Sequence, residues 1–310
     1  MSSIEKAIGR IKKNGNGAKQ HVSKKRAHTD AVNNSEKENN LSKHEVTTPV
    51  NKNTSNNNIL NIDTDRLKQL GYICPDDMTS QIAEEYRNIK RPLLKNAFGK
   101  GATLIENGNL IVISSAVPGE GKTFTALNLA ISIAMERNTT ILLVDTDVTN
   151  PSLSRIFQIE EEPGLLDILS INNVKVENII HKTNIPTLSI IPAGHNHPFA
   201  AELLASNRMH QFVNEIVERY ADRVVLFDAP PILATSHAKV LAHIAGQIMI
   251  VVEAGKTLQS TIKEAVSKIE DDKVIGMILN KSRNTFKGMY YGYYGSYGHS
   301  SIAGNDENKK

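Results

Sequence analysis

A short glycine-rich segment near the middle of the chain has the residue types and spacing of a loop that binds nucleotide phosphates. Residues 116–123 read Ala-Val-Pro-Gly-Glu-Gly-Lys-Thr, with alanine where the usual pattern has its first glycine. Glycines at 119 and 121 let backbone N–H groups close around phosphate oxygens, because they carry no Cβ. In this pattern Lys122 reaches the β- and γ-phosphates, and the Thr123 hydroxyl ligates Mg²⁺. The segment therefore predicts a site for a nucleotide and Mg²⁺.

Three aspartates follow two apolar segments and could complete this site. Residues 140–145 form one apolar run that ends at Asp145, with Asp147 two residues later, and residues 224–228 form another that ends at Asp228. Residues i and i+2 of a strand face the same side, so Asp145 and Asp147 could converge on one metal ion or hydroxyl group. In open parallel sheets, ligands bind beyond the carboxyl ends of the strands. We therefore expect all three acids at the edge that holds the phosphate loop.

These residues need a sheet to position them, and the pattern within residues 63–285 predicts one. Short apolar runs alternate with amphipathic helical stretches, which is typical of an α/β fold with a mainly parallel sheet and helices on both faces. Together with the phosphate loop, this pattern predicts a P-loop NTPase type of domain. Strands are predicted at 109–114, 140–145, 187–192, 223–228, 247–252 and 274–279, and helices at 82–94, 122–137, 201–220, 236–244 and 258–270.

The N-terminal part of the chain differs from this domain in composition. The first sixty residues hold 11 Lys and Arg against 5 Asp and Glu and no aromatic residue, whereas the remaining chain holds 25 against 28. Such a stretch cannot bury enough apolar surface to offset chain entropy, so residues 1–62 are predicted to be a disordered basic region rich in Asn and Lys. Ile4, Ile8 and Ile11 form an apolar stripe within it. The stripe is either a docking helix for a partner or membrane, or a solvated, half-formed helix.

The overall composition excludes several classes of protein. Cys74 is the single cysteine, which excludes an internal disulfide. Aromatic residues make up 5% of the chain with no Trp, which argues against a stacking surface for single-stranded nucleic acid. No apolar run approaches the roughly 18–20 residues that span a bilayer. A cytoplasmic protein that does not bind nucleic acid is therefore expected, and residues 286–310 are expected to form a flexible tail rich in Tyr and Gly.

The motifs described above together resemble the bacterial tyrosine kinases of exopolysaccharide biosynthesis. The similarity covers about residues 80–297, and the phrases at 84–94 and 280–282 are most similar to the autokinases found with exosortase-linked exopolysaccharide loci. The resemblance implies an enzyme that uses ATP and Mg²⁺. It also implies that the γ-phosphoryl group is transferred to the enzyme's own C-terminal tyrosines, between neighbouring subunits.

The resemblance further implies roles for individual residues. Catalysis would rest on Lys122, Asp145 and Asp147, and the metal would be held by Thr123, Asp145 and Asp228. Nucleotide contacts would come from Gly119, Glu120, Gly121, Lys122, Thr123, Phe124 and Asn280. A helix carrying Glu84, Arg87 and Lys90 would build the homo-oligomer, a ring or a dimer. The phosphate acceptors would be Tyr290, Tyr291, Tyr293, Tyr294 and Tyr297, five of the 8 tyrosines in the chain.

The family also implies partners and a location. A separate membrane-bound activator of the chain-length-determinant type would hold the enzyme at the cytoplasmic side of the inner membrane, and a phosphotyrosine phosphatase would reverse its action. Some positions depart from the family pattern. Thr149 and Asn150 stand where arginine is common, His237 stands where aspartate is common, and Lys90 replaces an arginine that could pair in a planar, bidentate way.

Two other interpretations remain open from the sequence. A regulatory ATPase of the cell-division or plasmid-partition type would share the phosphate loop. Those proteins usually have a second lysine five residues before the loop lysine, where this chain has Val117, and they lack a terminal tyrosine cluster. An adaptor with a vestigial ATP site is disfavoured by the intact lysine, threonine and three aspartates. His195-Asn-His197 is interpreted as a loop rather than a metal site, because no carboxylate or cysteine neighbours it in the sequence.

Overall fold

The computed structural model describes residues 59–99, 105–171, 174–219, 222–270 and 273–282 of the chain. The predictions for the isoleucine stripe near the N-terminus and for the C-terminal tyrosine cluster lie outside these residues. The predicted division of the chain after residues 62 and 285 stays a prediction. The described part makes tertiary contacts from its N-terminal end onward, since the backbone N–H of Leu60 donates to the carbonyl of Lys182 over 2.7 Å.

A seven-stranded sheet forms the centre of the described part. Its spatial order is β3-β4-β2-β5-β1-β6-β7, and all pairings are parallel except that of β3 with β4. This arrangement confirms the predicted α/β class with a mainly parallel sheet. The strands are β1 (Leu110–Ser115), β2 (Thr140–Asp145), β3 (His181–Lys182), β4 (Leu188–Ile191), β5 (Arg223–Asp228), β6 (Gln247–Glu253) and β7 (Val274–Asn280).

Helices cover both faces of the sheet. They are α1 (Thr64–Gln69), α2 (Gln81–Phe98), α3 (Lys122–Ala134), α4 (Ser152–Phe157), α5 (Leu165–Ser170), α6 (Ala200–Leu204), α7 (Asn207–Glu218), α8 (His237–Ile244) and α9 (Gln259–Val266), with a 3₁₀ turn at Val176–Asn178. In the described part of the chain, no helix combines the length and the apolar character needed to cross a membrane.

The alternation of side chains along β1 explains how the sheet is buried on both faces. Leu110 and Val112 point into a core shared with α7 and α8, whereas Ile111 and Ile113 point into a second core shared with α2 and α3. All four residues are fully buried. The phosphate-loop helix α3 is therefore packed between the sheet and α2, which makes it a rigid support for the residues at its N-terminus.

The six predicted strands agree with the structure to within one residue at each end, but the helices differ more. The helix predicted over 201–220 is two helices, because Ser206 has extended backbone between α6 and α7 and its Oγ donates to the Leu203 carbonyl over 2.6 Å. The helix predicted to reach residue 137 ends at Ala134, shortly before Asn138 takes a left-handed conformation with φ 60°. The short elements α1, α4, α5 and β3 were not predicted, since each is too short to show a clear period.

Candidate functional site

The phosphate loop connects β1 to α3 and has the backbone shape that its glycines allow. Gly119 and Gly121 both have positive φ, at 86° and 96°, a region that side chains with a Cβ disfavour. A Cβ on Gly121 would also clash with the Asn280 amide nitrogen. The first turn of α3 starts directly after this point, so its free N–H groups face the loop. The loop can therefore cradle phosphate oxygens as the sequence predicts.

Glu120 contributes to the loop in a way that the sequence did not suggest. Its buried carboxylate turns away from the phosphate space and accepts hydrogen bonds from the N–H of Val117 at 2.9 Å and of Glu253 at 3.2 Å. The Thr257 hydroxyl donates to the same carboxylate. The side chain thus fastens the loop to the end of β6, and any contact of residue 120 with a nucleotide comes from its backbone.

The end of β7 also closes on the loop. The Asn280 amide donates to the Glu120 carbonyl at 2.9 Å, and the Lys281 ammonium donates to the Gly119 carbonyl at 2.6 Å. A cavity of about 680 Å³ lies beside them and is lined by residues 253–256, 281 and 282. This position suits the adenine contact expected of Asn280.

Lys122 and two of the three predicted aspartates meet directly. The Lys122 ammonium lies 2.7 Å from Oδ2 of Asp147 and 3.9 Å from Oδ1 of Asp228, and all three side chains are buried. Asp145 is different, since its Oδ2 accepts from the N–H and the hydroxyl of Ser154 at 2.9 and 2.8 Å. Asp145 and Asp147 therefore do not share one protein partner. The reason is that β2 ends at Asp145, so strand alternation no longer governs residue 147.

The electrostatics of this cluster favour a bound cation. Burial, together with the charge of Asp228, raises the pKa of Asp145, and burial raises the pKa of Asp228 despite the nearby Lys122 ammonium. Burial alone would lower the pKa of Lys122, but the carboxylates of Asp228 and Asp147 outweigh it and raise that pKa. Three acids thus surround one ammonium, which leaves an excess of negative charge.

The hydrogen bonding of the cluster points the same way. Both carboxylate oxygens of Asp228 and Oδ1 of Asp145 are buried with no hydrogen-bond partner among the described residues. Unsatisfied carboxylate oxygens suit a hard cation such as Mg²⁺. Within the same residues, no three His, Cys, Asp or Glu side chains are arranged to hold a metal by themselves. A cation here would therefore also need Thr123 and phosphate oxygens as ligands.

The family departures at 149, 150 and 237 take up positions around Asp147 and Arg155. The Thr149 hydroxyl donates to Oδ1 of Asp147 at 3.1 Å. The Asn150 side chain accepts from the Arg155 guanidinium. His237 is buried at the start of α8, where burial lowers its pKa and the charge of Asp147 opposes this shift. Thr149 and Asn150 are thus each engaged by a neighbouring side chain, whereas Nε2 of His237 is buried with no hydrogen-bond partner among the described residues.

A second cavity, of about 510 Å³, opens beside the phosphate loop on the side of α1 and α4. Besides the loop and Phe124, it is lined by Arg66, Tyr72 and Arg155, which sequence analysis did not single out. The Tyr72 ring packs on Phe124 with 4.9 Å between centroids. These residues were missed because they come from short elements that meet only in the fold.

The helix predicted to mediate assembly divides into two parts. Glu84 and Arg87 pair with each other, and the Arg87 guanidinium also donates to the Met78 carbonyl at 2.7 Å. Lys90 does not fit the expected interface, because it is buried and its ammonium binds the Ser132 carbonyl at 2.6 Å and Glu136 at 2.7 Å. The Lys90 ammonium is therefore used inside the subunit.

The histidine pair at 195 and 197 also has a neighbour that the sequence hides. Nδ1 of His195 lies 2.8 Å from Oδ1 of Asp167, a residue of α5. No carboxylate neighbours the pair along the chain, but the fold brings the Asp167 carboxylate beside His195. The ring is exposed and no further ligand joins it in the described part, so the loop interpretation stands.

The chain is similar to known proteins in both sequence and fold. A family model described as an AAA domain matches residues 108–275. Tyrosine-protein kinase YwqD of Bacillus subtilis (strain 168) is 32% identical over 231 residues, covering 74% of this chain and 92% of that protein. The putative tyrosine-protein kinase EpsB of Ralstonia solanacearum is 30% identical over 226 residues, but the match spans only 28% of its length. Among solved structures, the kinase domain of Escherichia coli tyrosine kinase ETK aligns with TM-score 0.59 and 26% identity, covering 73% of this chain and 84% of that one.

Proposed function

The chain belongs to the family of bacterial tyrosine-protein kinases, and from this premise we propose that it is an ATP-dependent tyrosine autokinase acting in exopolysaccharide synthesis or export. The observation that supports this most is the buried cluster in which the Lys122 ammonium lies between Asp147 and Asp228 at the phosphate loop. Phosphoryl transfer depends on positioning and charge neutralisation rather than on covalent chemistry by the protein. A fixed ammonium beside unsatisfied carboxylates supplies both.

Each residue of the cluster has a proposed task. The backbone of the phosphate loop and Lys122 hold the β- and γ-phosphates of ATP, and Asn280 contacts adenine. Thr123, Asp145 and Asp228 would hold Mg²⁺, which when bound neutralises phosphate charge. The bond from the γ-phosphorus to the bridging oxygen of ADP breaks as a tyrosine oxygen attacks. Asp147 accepts the tyrosine proton, since its carboxylate is fixed by Lys122 and Thr149 at the same edge of the sheet.

We propose the acceptors to be the tyrosines at 290, 291, 293, 294 and 297, presented to a neighbouring subunit in a homo-oligomer. The Glu84 and Arg87 pair on α2 is the proposed assembly contact. The proposed partners are a separate membrane-bound activator and a phosphotyrosine phosphatase, with the enzyme held at the inner membrane through the activator. The association with exosortase-linked loci is part of this proposal and rests on the phrases at 84–94 and 280–282.

The alternative of a non-kinase regulatory ATPase has less support. Its usual second lysine would stand at residue 117, where this chain has valine. The two relatives and the solved structure described above carry the name tyrosine kinase or putative tyrosine kinase. No observation on the described residues favours the alternative.

The proposal is tested by Lys122→Met in the full chain, produced in a host without tyrosine kinases. We expect mass spectrometry to find phosphotyrosine in the parent with ATP and Mg²⁺, and none in the variant, because the variant lacks the ammonium that neutralises the transferred phosphoryl group. Lys263→Met, which changes an exposed lysine on α9, is the matched control and should retain labelling. Equal phosphotyrosine in Lys122→Met and the parent would falsify the kinase assignment.

A further inference from the structure

The charged residues that line the cavity on the α1 and α4 side of the phosphate loop are all basic. Of the described residues that surround its roughly 510 Å³, Arg66, Lys122 and Arg155 are basic and none is acidic. Lys122 lies deep, only 8% exposed, whereas both arginines are exposed at the mouth. The cavity therefore has a transfer end at Lys122 and a second cationic end at its opening.

The two arginines are not neutralised by other parts of the chain. The Arg155 guanidinium contacts only neutral oxygens, those of Asn150 and of Ser152 at 3.1 Å, which fix its direction without cancelling its charge. Among the described residues, no carboxylate pairs with Arg66 or Arg155. By contrast, Lys122 is already paired with Asp147. An anionic ligand at the mouth would gain two unpaired guanidinium groups.

The cavity also has aromatic surface next to this charge. The Tyr72 ring packs on Phe124 and is held there because the N–H of the next residue, Ile73, donates to the Asn128 side chain of α3 at 2.7 Å. Adenine does not require this surface, since the expected adenine contact at Asn280 adjoins a different cavity. The part of this cavity that lies beyond the loop residues assigned to the nucleotide thus combines a face for an aromatic ring with a pair of guanidinium groups for a dianion.

We infer that this cavity binds a phosphotyrosine of a tail that has already been modified, with Arg66 and Arg155 holding its phosphate, and thereby presents the next tyrosine to Lys122. The inference rests on the proposed kinase function and adds a binding site to it. The tail sequence fits such a primed mechanism, because three pairs of its tyrosines lie three positions apart: 290 and 293, 291 and 294, and 294 and 297. In extended chain that spacing is about 10 Å, which is long enough to run from the mouth of a cavity to its depth.

The binding step is tested without any need for kinase activity. The full chain, with its five tail tyrosines changed to Phe, is titrated with a synthetic peptide of residues 286–300 in the presence of ADP and Mg²⁺. One form of the peptide is phosphorylated at Tyr294, which lies three positions before Tyr297. We expect this form to bind about tenfold more tightly than the unmodified peptide. Arg66→Ala combined with Arg155→Ala should remove this preference, while Arg155→Lys with native Arg66 should keep part of it.

The control is Arg91→Ala, which removes an exposed arginine of α2 and should leave the preference unchanged. Equal affinity of the parent for the two peptides, or a preference that survives the double arginine variant, overturns the site. If the double variant loses affinity for ADP by the same factor as for the phosphopeptide, the arginines serve the nucleotide and the inference is again overturned.

A kinetic measurement tests the consequence. Intact-mass analysis over time gives the rate of the second phosphorylation relative to the first. We expect this ratio to fall about tenfold in the double arginine variant, so that singly phosphorylated chain accumulates. An unchanged ratio overturns the primed mechanism. A parent that makes no phosphotyrosine at all instead contradicts the proposed kinase function, and the peptide titration still reports on the site.

Discussion

At the scale of single residues, the catalytic cluster shows a conflict between stability and function. Asp228 is fully buried at the end of β5, and neither of its carboxylate oxygens has a hydrogen-bond partner among the described residues. A buried charge without partners costs folding free energy. The nearby Lys122 ammonium, at 3.9 Å, offsets only part of this cost, since burial still raises the pKa of Asp228. A bound cation would pair with these oxygens, so the cost of burying Asp228 is explained if the site holds a cation when it is occupied.

The change Asp228→Asn should therefore abolish transfer while stabilising the protein in the absence of nucleotide and Mg²⁺. A carboxyl group whose pKa is raised on folding favours the native state fully below its unfolded pKa, and that advantage is lost as pH rises through the folded pKa. Removal of the charge should thus raise the free energy of unfolding at pH 8 by roughly 1–3 kcal/mol. The measurement is urea denaturation of parent and variant between pH 4 and pH 8.

The gap between the two proteins should shrink as the pH approaches 4, because the buried carboxyl of the folded parent is then neutral. With ATP and Mg²⁺ added, the order should reverse, since only the parent gains stability by binding. A variant that is less stable than the parent across the whole range would show that Asp228 is held mainly by Lys122, contrary to this argument.

The residues of the site differ in how far the sequence could identify them. The sequence predicted that Asp145, Asp147 and Asp228 lie at the edge of the sheet that holds the phosphate loop, because each follows a strand of a parallel sheet. In the structure Asp147 and Asp228 lie beside Lys122 at that edge. The side-chain direction of Glu120 was not predictable, since it depends on Glu253 and Thr257 from distant parts of the chain. Arg66 and Arg155 carried no local signal either.

At the scale of secondary structure, strands were predicted better than helices for a physical reason. Central strands of a parallel sheet are buried on both faces and read as apolar runs, as in 140–145 and 223–228, whose predicted ends match β2 and β5. Short helices such as α4 form only because tertiary contacts complete them. Its N-terminal turn, for example, donates to the Asp145 carboxylate through Ser154. Local sequence cannot report such a contact.

Helix α2 allows an element-scale prediction that separates folding from assembly. Lys90→Ala should lower the free energy of unfolding by roughly 1–3 kcal/mol, because it removes a buried ammonium bound to the Ser132 carbonyl and to Glu136. Glu84→Ala and Arg87→Ala lie on the more exposed face and should instead weaken self-association. Urea denaturation measures the first effect, and light scattering at several protein concentrations measures the second.

Lys263→Ala, which changes an exposed lysine on α9 and not on α2, is the control for both measurements. If Lys90→Ala reduces assembly without changing stability, then Lys90 serves an interface after all. If neither Glu84→Ala nor Arg87→Ala changes the measured mass, their pairing is internal to the subunit and the assembly contact lies elsewhere.

At the scale of the whole molecule, charge is distributed unevenly along the chain. The first sixty residues carry an excess of Lys and Arg, whereas the rest holds 28 Asp and Glu against 25 Lys and Arg. Each phosphotyrosine adds roughly −1.5 to −2 charges at neutral pH. Five of them would add roughly −8 to −10 to a part of the chain that is already slightly acidic. In an assembly that brings several tails together, repulsion should grow with every transfer.

The assembled state should therefore be switched off by its own product. We expect unmodified chains to associate, phosphorylate neighbouring tails and then separate, with the effect strongest at low salt, because ions screen exposed charges over about 8–10 Å. Changing Tyr290, Tyr291, Tyr293, Tyr294 and Tyr297 to Phe keeps the aromatic rings but removes the acceptors. This variant should bind ATP normally and stay assembled when ATP and Mg²⁺ are supplied. Light scattering follows the assembly at about 20 and about 200 mM salt, which lie below and above the ionic strength at which the screening length is about 8–10 Å. If it separates as the parent does, nucleotide turnover rather than tail charge drives the switch, and a regulatory ATPase becomes the better description of the molecule.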